Sequence, residues 1–161
     1  MIMQRKLLVV CSVLVVASPV LAQNKINTTW HCPKAAAAQK MDVGDMPDHT
    51  FVLAQGECTA TAGSKGLEEK GGAYTEFRDM KKTGATNHGR FIATLASGDK
   101  LFYTYAGSAP ADVNKSASNK WTIDGGTGKF AHAKGAGTCS GKRNADESAD
   151  WHCTGSVRAG K

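Results

Sequence analysis

The chain has 161 residues and a formal net charge of +6, and this length suits one domain with a hydrophobic core. Its basic residues are scattered among acidic ones, as in EEKGG and RDMKK, and no basic stripe with interleaved aromatic residues occurs. This pattern argues against nucleic acid as a partner.

The first segment, residues 1–22, has the pattern of a cleavable secretory signal. Two basic residues precede an apolar run from Leu7 to Val16, and a small-residue ending leads to Ala22. The run is shorter than the roughly 20 residues that a membrane-spanning helix needs. The sequence therefore predicts export to the periplasm or the cell exterior without a stable membrane anchor. Cleavage after Ala22 would leave residues 23–161 as a single domain with a formal net charge of +4.

From residue 23 onward, short runs of threonine, valine and aromatic residues alternate with glycine-containing turns, a spacing typical of β-strands. One segment differs, because PKAAAAQKM (residues 33–41) combines a proline with four alanines. This composition predicts a short helix or turn after the first strand. The clearest hairpin is ATLASGDKLFYTY, in which SGD joins two alternating runs. The eight predicted strands are Ile26–Cys32, His49–Thr61, Ala73–Arg78, Arg90–Ala96, Lys100–Tyr105, Lys120–Ile123, Phe130–Cys139 and Asp150–Val157.

Eight evenly spaced strands with almost no helix predict an all-β fold, an eight-stranded antiparallel barrel in the first place and a sandwich in the second. Closure into a barrel removes the exposed sheet edges. The interior of such a barrel is filled by side chains or is just wide enough for one small ligand.

Three segments carry a resemblance to a known group of proteins. WTIDGGTGKFAHAKGAGTCSGK (121–142) resembles the final part of small exported bacterial proteins with an allene-oxide-cyclase-like (calycin-like) β-barrel, and VGDMPDHTFVLAQGECT (43–59) and SGDKLFYTYAG (97–107) resemble earlier parts. The resemblance implies the barrel fold. It implies no activity, because these bacterial proteins are largely uncharacterised and no set of catalytic residues matches.

The tripeptide WHC occurs twice, at residues 30–32 and 151–153. In a strand, Trp and Cys face one side and His faces the other. Each histidine therefore points away from its neighbouring cysteine, which disfavours a shared zinc site, and we expect no metal and no cofactor.

Four cysteines remain after removal of the signal: Cys32, Cys58, Cys139 and Cys153. An even number in an exported chain predicts disulfides. Cys32 with Cys153 would leave Cys58 and Cys139 on strands that are not neighbours, and a disulfide needs Cα atoms within about 7 Å. Pairing Cys32 with Cys58 and Cys139 with Cys153 joins adjacent strands twice and is the predicted connectivity.

His49 is the first candidate for chemistry, because Asp45 and Asp48 lie near it in GDMPDHTF. A histidine beside carboxylates can act as a general base or a metal ligand. The favoured alternative is mechanical, with the aspartates capping turns and His49 bonded to a loop.

Glu76 and Arg78 share one face of a strand. If this face is interior, the pair marks a polar binding cavity. If it is exterior, the pair contributes little to stability. Alternation does not reveal which face is inside. Tyr103, Tyr105 and Trp121 are candidates for lining a pocket or for packing in the core.

Three functional hypotheses follow. The first is an exported barrel that binds a small, partly apolar molecule. The second is a cofactor-free cyclase or isomerase in which His49 or Glu76 moves a proton. The third is an envelope or surface interaction protein without a ligand pocket. The sequence favours the first and defines neither the ligand nor the oligomeric state.

Overall fold

A computed structural model describes residues 23–160. The predicted signal peptide, residues 1–22, lies outside the described residues. Within the described range, no helix is long and apolar enough to cross a membrane.

Nine antiparallel strands and one 3-10 turn are the regular elements of residues 23–160. The turn, Gly128–Phe130, lies between the seventh and eighth strands. The strands are β1 (Gln23–Cys32), β2 (Ala37–Asp42), β3 (Thr50–Ala62), β4 (Glu69–Lys81), β5 (Gly84–Leu95), β6 (Lys100–Pro110), β7 (Ala117–Gly126), β8 (Lys134–Arg143) and β9 (Ala149–Arg158).

Eight of these strands close a barrel, as the sequence predicts. Neighbours in the chain pair from β3 through to β9, and β1 pairs with β9 along its whole length. Closure comes from β1 and β3, where residues 29–31 lie opposite residues 59–62. The eight-stranded antiparallel barrel is therefore confirmed. Five of the observed strands contain the predicted ranges, but β8 begins at Lys134 and not at Phe130, because residues 128–130 form the 3-10 turn.

The helix or turn predicted for residues 33–41 is corrected by the structure. After bends at residues 33–36, the segment Ala37–Asp42 forms β2 and pairs with residues 50–55 of β3. Alanine is the strongest helix former, but helix propensity alone determines structure only weakly, and a helix this short is marginal without tertiary support. Pairing with the exposed edge of β3 satisfies the same backbone groups, so the strand forms instead.

The two ends of the barrel differ in chemistry. The apolar end carries the turns at residues 63–68, 96–99 and 127–133, and the polar end carries the turns at 82–83, 111–116 and 144–148. Fully buried aliphatic and aromatic side chains seal the apolar end. They are Leu67, Leu95, Leu101, Ile123, Phe130 and Val157.

Interior glycines leave room for aromatic rings that cross the barrel. A Cβ atom on Gly155 would lie 2.5 Å from Cζ2 of Trp121, and one on Gly89 would lie 2.8 Å from the hydroxyl of Tyr105. Glycine at these positions allows the backbone to pass directly beneath each ring.

The disulfides are Cys32–Cys58 and Cys139–Cys153, the connectivity that the sequence predicts. The first joins β1 to β3 at the closure of the barrel, and the second joins the paired strands β8 and β9. Trp30 and Trp151 lie opposite each other across β1 and β9. The repeated WHC thus places two Trp–Cys faces inside the barrel, while His31 lies outside and donates from Nδ1 to Asp150 Oδ1 (2.8 Å).

Candidate functional site

A polar cluster occupies the interior at the polar end. Glu76 on β4 is 7% exposed, and its carboxylate accepts hydrogen bonds from two sides. Arg78 Nε donates to Oε1 (2.5 Å), and Asn87 Nδ2 on β5 donates to Oε2 (2.7 Å). The Glu76–Arg78 pair therefore faces the interior of the barrel, which is one of the two orientations that the sequence leaves open.

Two tyrosines border this pair. Burial raises the pKa of Tyr105, and the charge on Glu76 raises it further. Burial also raises the pKa of Tyr74. Burial disfavours the charge on Arg78, but the Glu76 carboxylate outweighs this effect and raises the pKa of the guanidinium. The cluster therefore holds one balanced ion pair beside two neutral phenols, with no net charge.

Solvent reaches this cluster. The side chain of Arg78 is 30% exposed, and Tyr74, Asn87 and Tyr105 are half-buried although they face the interior. The interior side chains at the apolar end, by contrast, are almost completely buried, with Leu101 and Val157 at 0% exposure. We call this partly exposed interior region at the polar end, formed by Tyr74, Glu76, Arg78, Asn87 and Tyr105, the cup.

Strand β7, next to the cup, carries two buried polar atoms without a hydrogen-bond partner. Within residues 23–160, Asn119 Oδ1 and Trp121 Nε1 are the buried side-chain atoms that lack a hydrogen-bond partner. Both side chains face inward. Asn119 lies over Gly107, in the same cross-strand row as Asn87 and Arg78, and Trp121 lies opposite Tyr105. Buried polar groups are normally paired, so these two atoms are exceptions within the described residues.

A second polar cluster lies deeper, near the apolar end, around Glu69. Tyr103 donates its hydroxyl to Glu69 Oε1 (3.0 Å), and Thr28 and Ser64 donate to Oε2. Burial raises the pKa of Glu69, and the three hydroxyls only partly oppose this shift. Sequence reasoning missed Glu69, because GLEEKGG reads as a solvated turn and its hydroxyl partners come from distant strands.

The predicted site residues separate into three places. Glu76, Arg78 and Tyr105 meet in the cup. Tyr103 and Trp121 pack against each other in the barrel core, with ring centroids 5.3 Å apart. His49 belongs to neither group and has Asp45 and Asp79 as its hydrogen-bond partners.

His49 is a buried residue on the outer side of the barrel. Its Nδ1 lies 2.5 Å from Asp45 Oδ1, and its Nε2 lies 2.9 Å from Asp79 Oδ1. The hydrogen bond from His49 lowers the pKa of Asp45. Asp48 occupies the left-handed backbone region at φ 61°, as turn aspartates can. These contacts tie the β2–β3 connection to β4, in agreement with the mechanical alternative.

Two surface clefts lie elsewhere. One of about 380 Å³ is lined by residues 60–65 and 68–70, and one of about 180 Å³ lies beside Ser140, Trp151 and His152. Neither cleft includes Glu76 or Arg78. In the part of the chain that the structure describes, no three His, Cys, Asp or Glu side chains are grouped so as to hold a metal ion.

Comparison with known proteins gives the fold and nothing finer. No protein-family model matches the chain, and no curated protein sequence matches it significantly. Among solved structures, the pterocarpan synthase dirigent protein PsPTS1 aligns over 87% of this chain and 97% of its own, with 14% identity and a TM-score of 0.50. A conserved protein of unknown function from Rhodopseudomonas palustris, RPA1785, aligns over 86% and 99%, with 10% identity and a TM-score of 0.51. The barrel is thus shared with dirigent proteins and an uncharacterised protein, and a specific allene-oxide-cyclase-like relationship is not established.

Proposed function

We propose that this protein binds a small, partly apolar molecule at the polar end of its barrel, over Glu76 and Arg78. The observation that carries the proposal is the partly exposed polar cluster inside a barrel whose opposite end is sealed by apolar side chains. Ligand sites in proteins typically combine apolar walls with a few convergent polar groups, and the mouths of β-barrels are a common location for them.

The chemistry of the cup defines the kind of ligand. The phenol rings of Tyr74 and Tyr105 supply apolar faces, and the internally neutralised pair supplies no net charge. Asn119 Oδ1 and Trp121 Nε1 offer one free acceptor and one free donor. A neutral molecule with hydrogen-bonding groups on an apolar body would satisfy both atoms, whereas a charged one would unbalance the ion pair.

The site would work outside the cytoplasm. The proposal that residues 1–22 are a signal peptide, and that residues 23–161 form one exported domain, is supported by the two disulfides, since such bonds persist in oxidising compartments. The resemblance of residues 121–142 to exported allene-oxide-cyclase-like barrels supports the same location, periplasmic or extracellular.

The test begins with the protein purified from its native compartment. Denaturation and mass spectrometry would identify co-purifying molecules, and a panel of neutral fragments would be titrated in parallel against ¹⁵N-labelled protein. We expect shifts at Asn87, Asn119 and the indole of Trp121. Recovery of the molecule in chemically altered form after incubation would indicate catalysis, with Glu76 as the first residue to examine.

A matched variant pair makes the test specific. Arg78→Met removes the interior guanidinium, and Arg90→Met removes the equivalent group from an exterior pair, in which Arg90 contacts Asp124 at 2.7 Å. We expect at least about tenfold weaker binding for Arg78→Met, equivalent to about 1.4 kcal/mol, and unchanged binding for Arg90→Met. Equal behaviour of the two variants, or no fragment that shifts the cup residues, would refute the proposed site.

A further inference from the structure

Strand β2 forms a free edge beside the closed barrel. It pairs with β3 along residues 50–55, and no strand within residues 23–160 pairs with its other side. All six of its residues are exposed. An unpaired strand edge is a template for another strand. The side chains of β2 therefore determine which strand can pair with it.

The outer face at this edge is apolar. Met41 is 69% exposed and lies opposite Phe51, and Leu53 farther along β3 is 48% exposed. Phe51 in turn packs against Phe77 on β4, with ring centroids 5.1 Å apart. An apolar stripe thus runs across three strands and ends at the free edge, where Met41 is its most exposed member.

The charges that flank Met41 are opposite in sign. Lys40 precedes it and Asp42 follows it. When two copies of one strand pair antiparallel about a two-fold axis perpendicular to the sheet, a residue lies opposite itself, and its neighbours pair crosswise. Centring on Met41 therefore places Lys40 opposite Asp42 of the second copy, twice.

Other registers are less favourable. Centring on Lys40 places two lysines opposite each other, which is destabilising. Centring on Gln39 leaves both charges opposite alanines. An edge protected against self-pairing typically carries charge that repels its own copy, whereas the Lys40–Asp42 spacing is complementary to itself.

The turn at residues 144–148 lies beside the first part of β2, where Lys34, and more weakly Lys40, lowers the pKa of Glu147. Lys34, just before β2, forms an ion pair with Glu147 in the turn at residues 144–148. This contact holds the turn beside the start of β2, and Met41 and Asp42 lie at the opposite end of the strand.

We propose that the β2 edge is a homodimer interface, in which β2 of a second copy pairs antiparallel with its centre at Met41. The apolar stripe then continues across the two-fold axis, and each Lys40 meets Asp42 of the second copy. The interface is on the outside of the barrel and does not depend on the proposed ligand site.

Charge reversal tests the register. Sedimentation velocity of the mature protein over a concentration series should show reversible dimerisation. Lys40→Asp alone, or Asp42→Lys alone, places like charges opposite each other, and each should weaken association at least tenfold. An equimolar mixture of the two variants should associate again, because both cross-strand pairs are then restored between unlike chains.

Cross-linking tests the geometry independently of charge. A cysteine introduced by Met41→Cys should form a disulfide-linked dimer, since residue 41 meets its own counterpart. Val113→Cys is the matched control, because Val113 is similarly exposed (61%) but lies away from β2, in the turn at residues 111–116, and this variant should remain monomeric under the same oxidation. A protein that is monomeric throughout the series, or a dimer that survives both charge reversals, would overturn the proposal.

Discussion

The Cys32–Cys58 disulfide is expected to contribute more to stability than Cys139–Cys153, and the reason lies in the closure of the barrel. Strands β8 and β9 are paired along ten residues each. The pairing of β1 with β3 covers only three residues of β1. The first disulfide therefore reinforces the weakest seam of the barrel, and the second reinforces a seam that is already extensive.

The magnitude follows from the loop lengths. The two bonds close segments with sequence separations of 26 and 14 residues. Restriction of the unfolded chain then gives about 3.5 kcal/mol for Cys32–Cys58 and about 3.0 kcal/mol for Cys139–Cys153. Because all four cysteines face the interior, replacement by alanine removes comparable buried atoms in both pairs. A difference beyond about 0.5 kcal/mol would come from the β1–β3 seam.

The assay is urea unfolding of two double variants, Cys32→Ala/Cys58→Ala and Cys139→Ala/Cys153→Ala, under non-reducing conditions. Native-state hydrogen exchange should show lost protection at residues 29–31 and 59–62 in the first variant only. If the first variant loses less than about 1 kcal/mol, or no more than the second, barrel closure does not depend on the bond and the reasoning is wrong.

Three further perturbations test other parts of the barrel. Burial raises the pKa of Glu69, so its proton stabilises the fold fully below the unfolded value of about 4.5, and this contribution is lost as pH rises through the folded value. Glu69→Gln should therefore gain stability relative to the native protein between pH 4 and pH 7 in urea titrations, and a constant difference would contradict the effect. Arg78→Met should cost about 2–4 kcal/mol, because it leaves a buried carboxylate without its cation, whereas Arg90→Met on the exposed pair should cost less than about 1 kcal/mol in the same thermal scans. Gly155→Ala places a methyl group against the indole of Trp121. It should lower the free energy of unfolding by about 1–3 kcal/mol and change the tryptophan fluorescence. Gly63→Ala is the control, because its new Cβ would lie 3.5 Å from the nearest atom, the backbone oxygen of Glu69, which is an ordinary van der Waals contact.

The strands and the disulfides could be predicted because their signals are local or topological. Alternation along ATLASGDKLFYTY defines two strands and their turn within thirteen letters. Strand order then restricts the cysteine pairing, since only neighbours can be bridged. The helix or turn predicted for residues 33–41 is wrong because tertiary pairing with β3 outweighs the helix propensity of the alanine run.

The candidate site could be predicted only in part, because it depends on which strands meet. Glu76 and Arg78 were identifiable as a pair, but their burial follows from the direction in which the sheet curves. Asn87 and Asn119 carry no distinguishing pattern in the sequence. Glu69 gains its environment from Thr28 and Tyr103, which are 41 and 34 positions away, so no window of sequence contains the information.

The barrel thus holds two buried carboxyl groups that it stabilises in different ways, and the proposed ligand site rests on this difference. Glu69 lies at the sealed end among hydroxyl groups, and burial favours its neutral form. Its hydrogen bonds connect β4 to β1 and β6. Glu76 is balanced by Arg78, whose side chain is 30% exposed to solvent. A guanidinium has five N–H donors, and the bond to Glu76 uses the Nε donor. If the proposed function holds, the exposed part of the Arg78 guanidinium would be the first interior group that a molecule entering the polar end contacts.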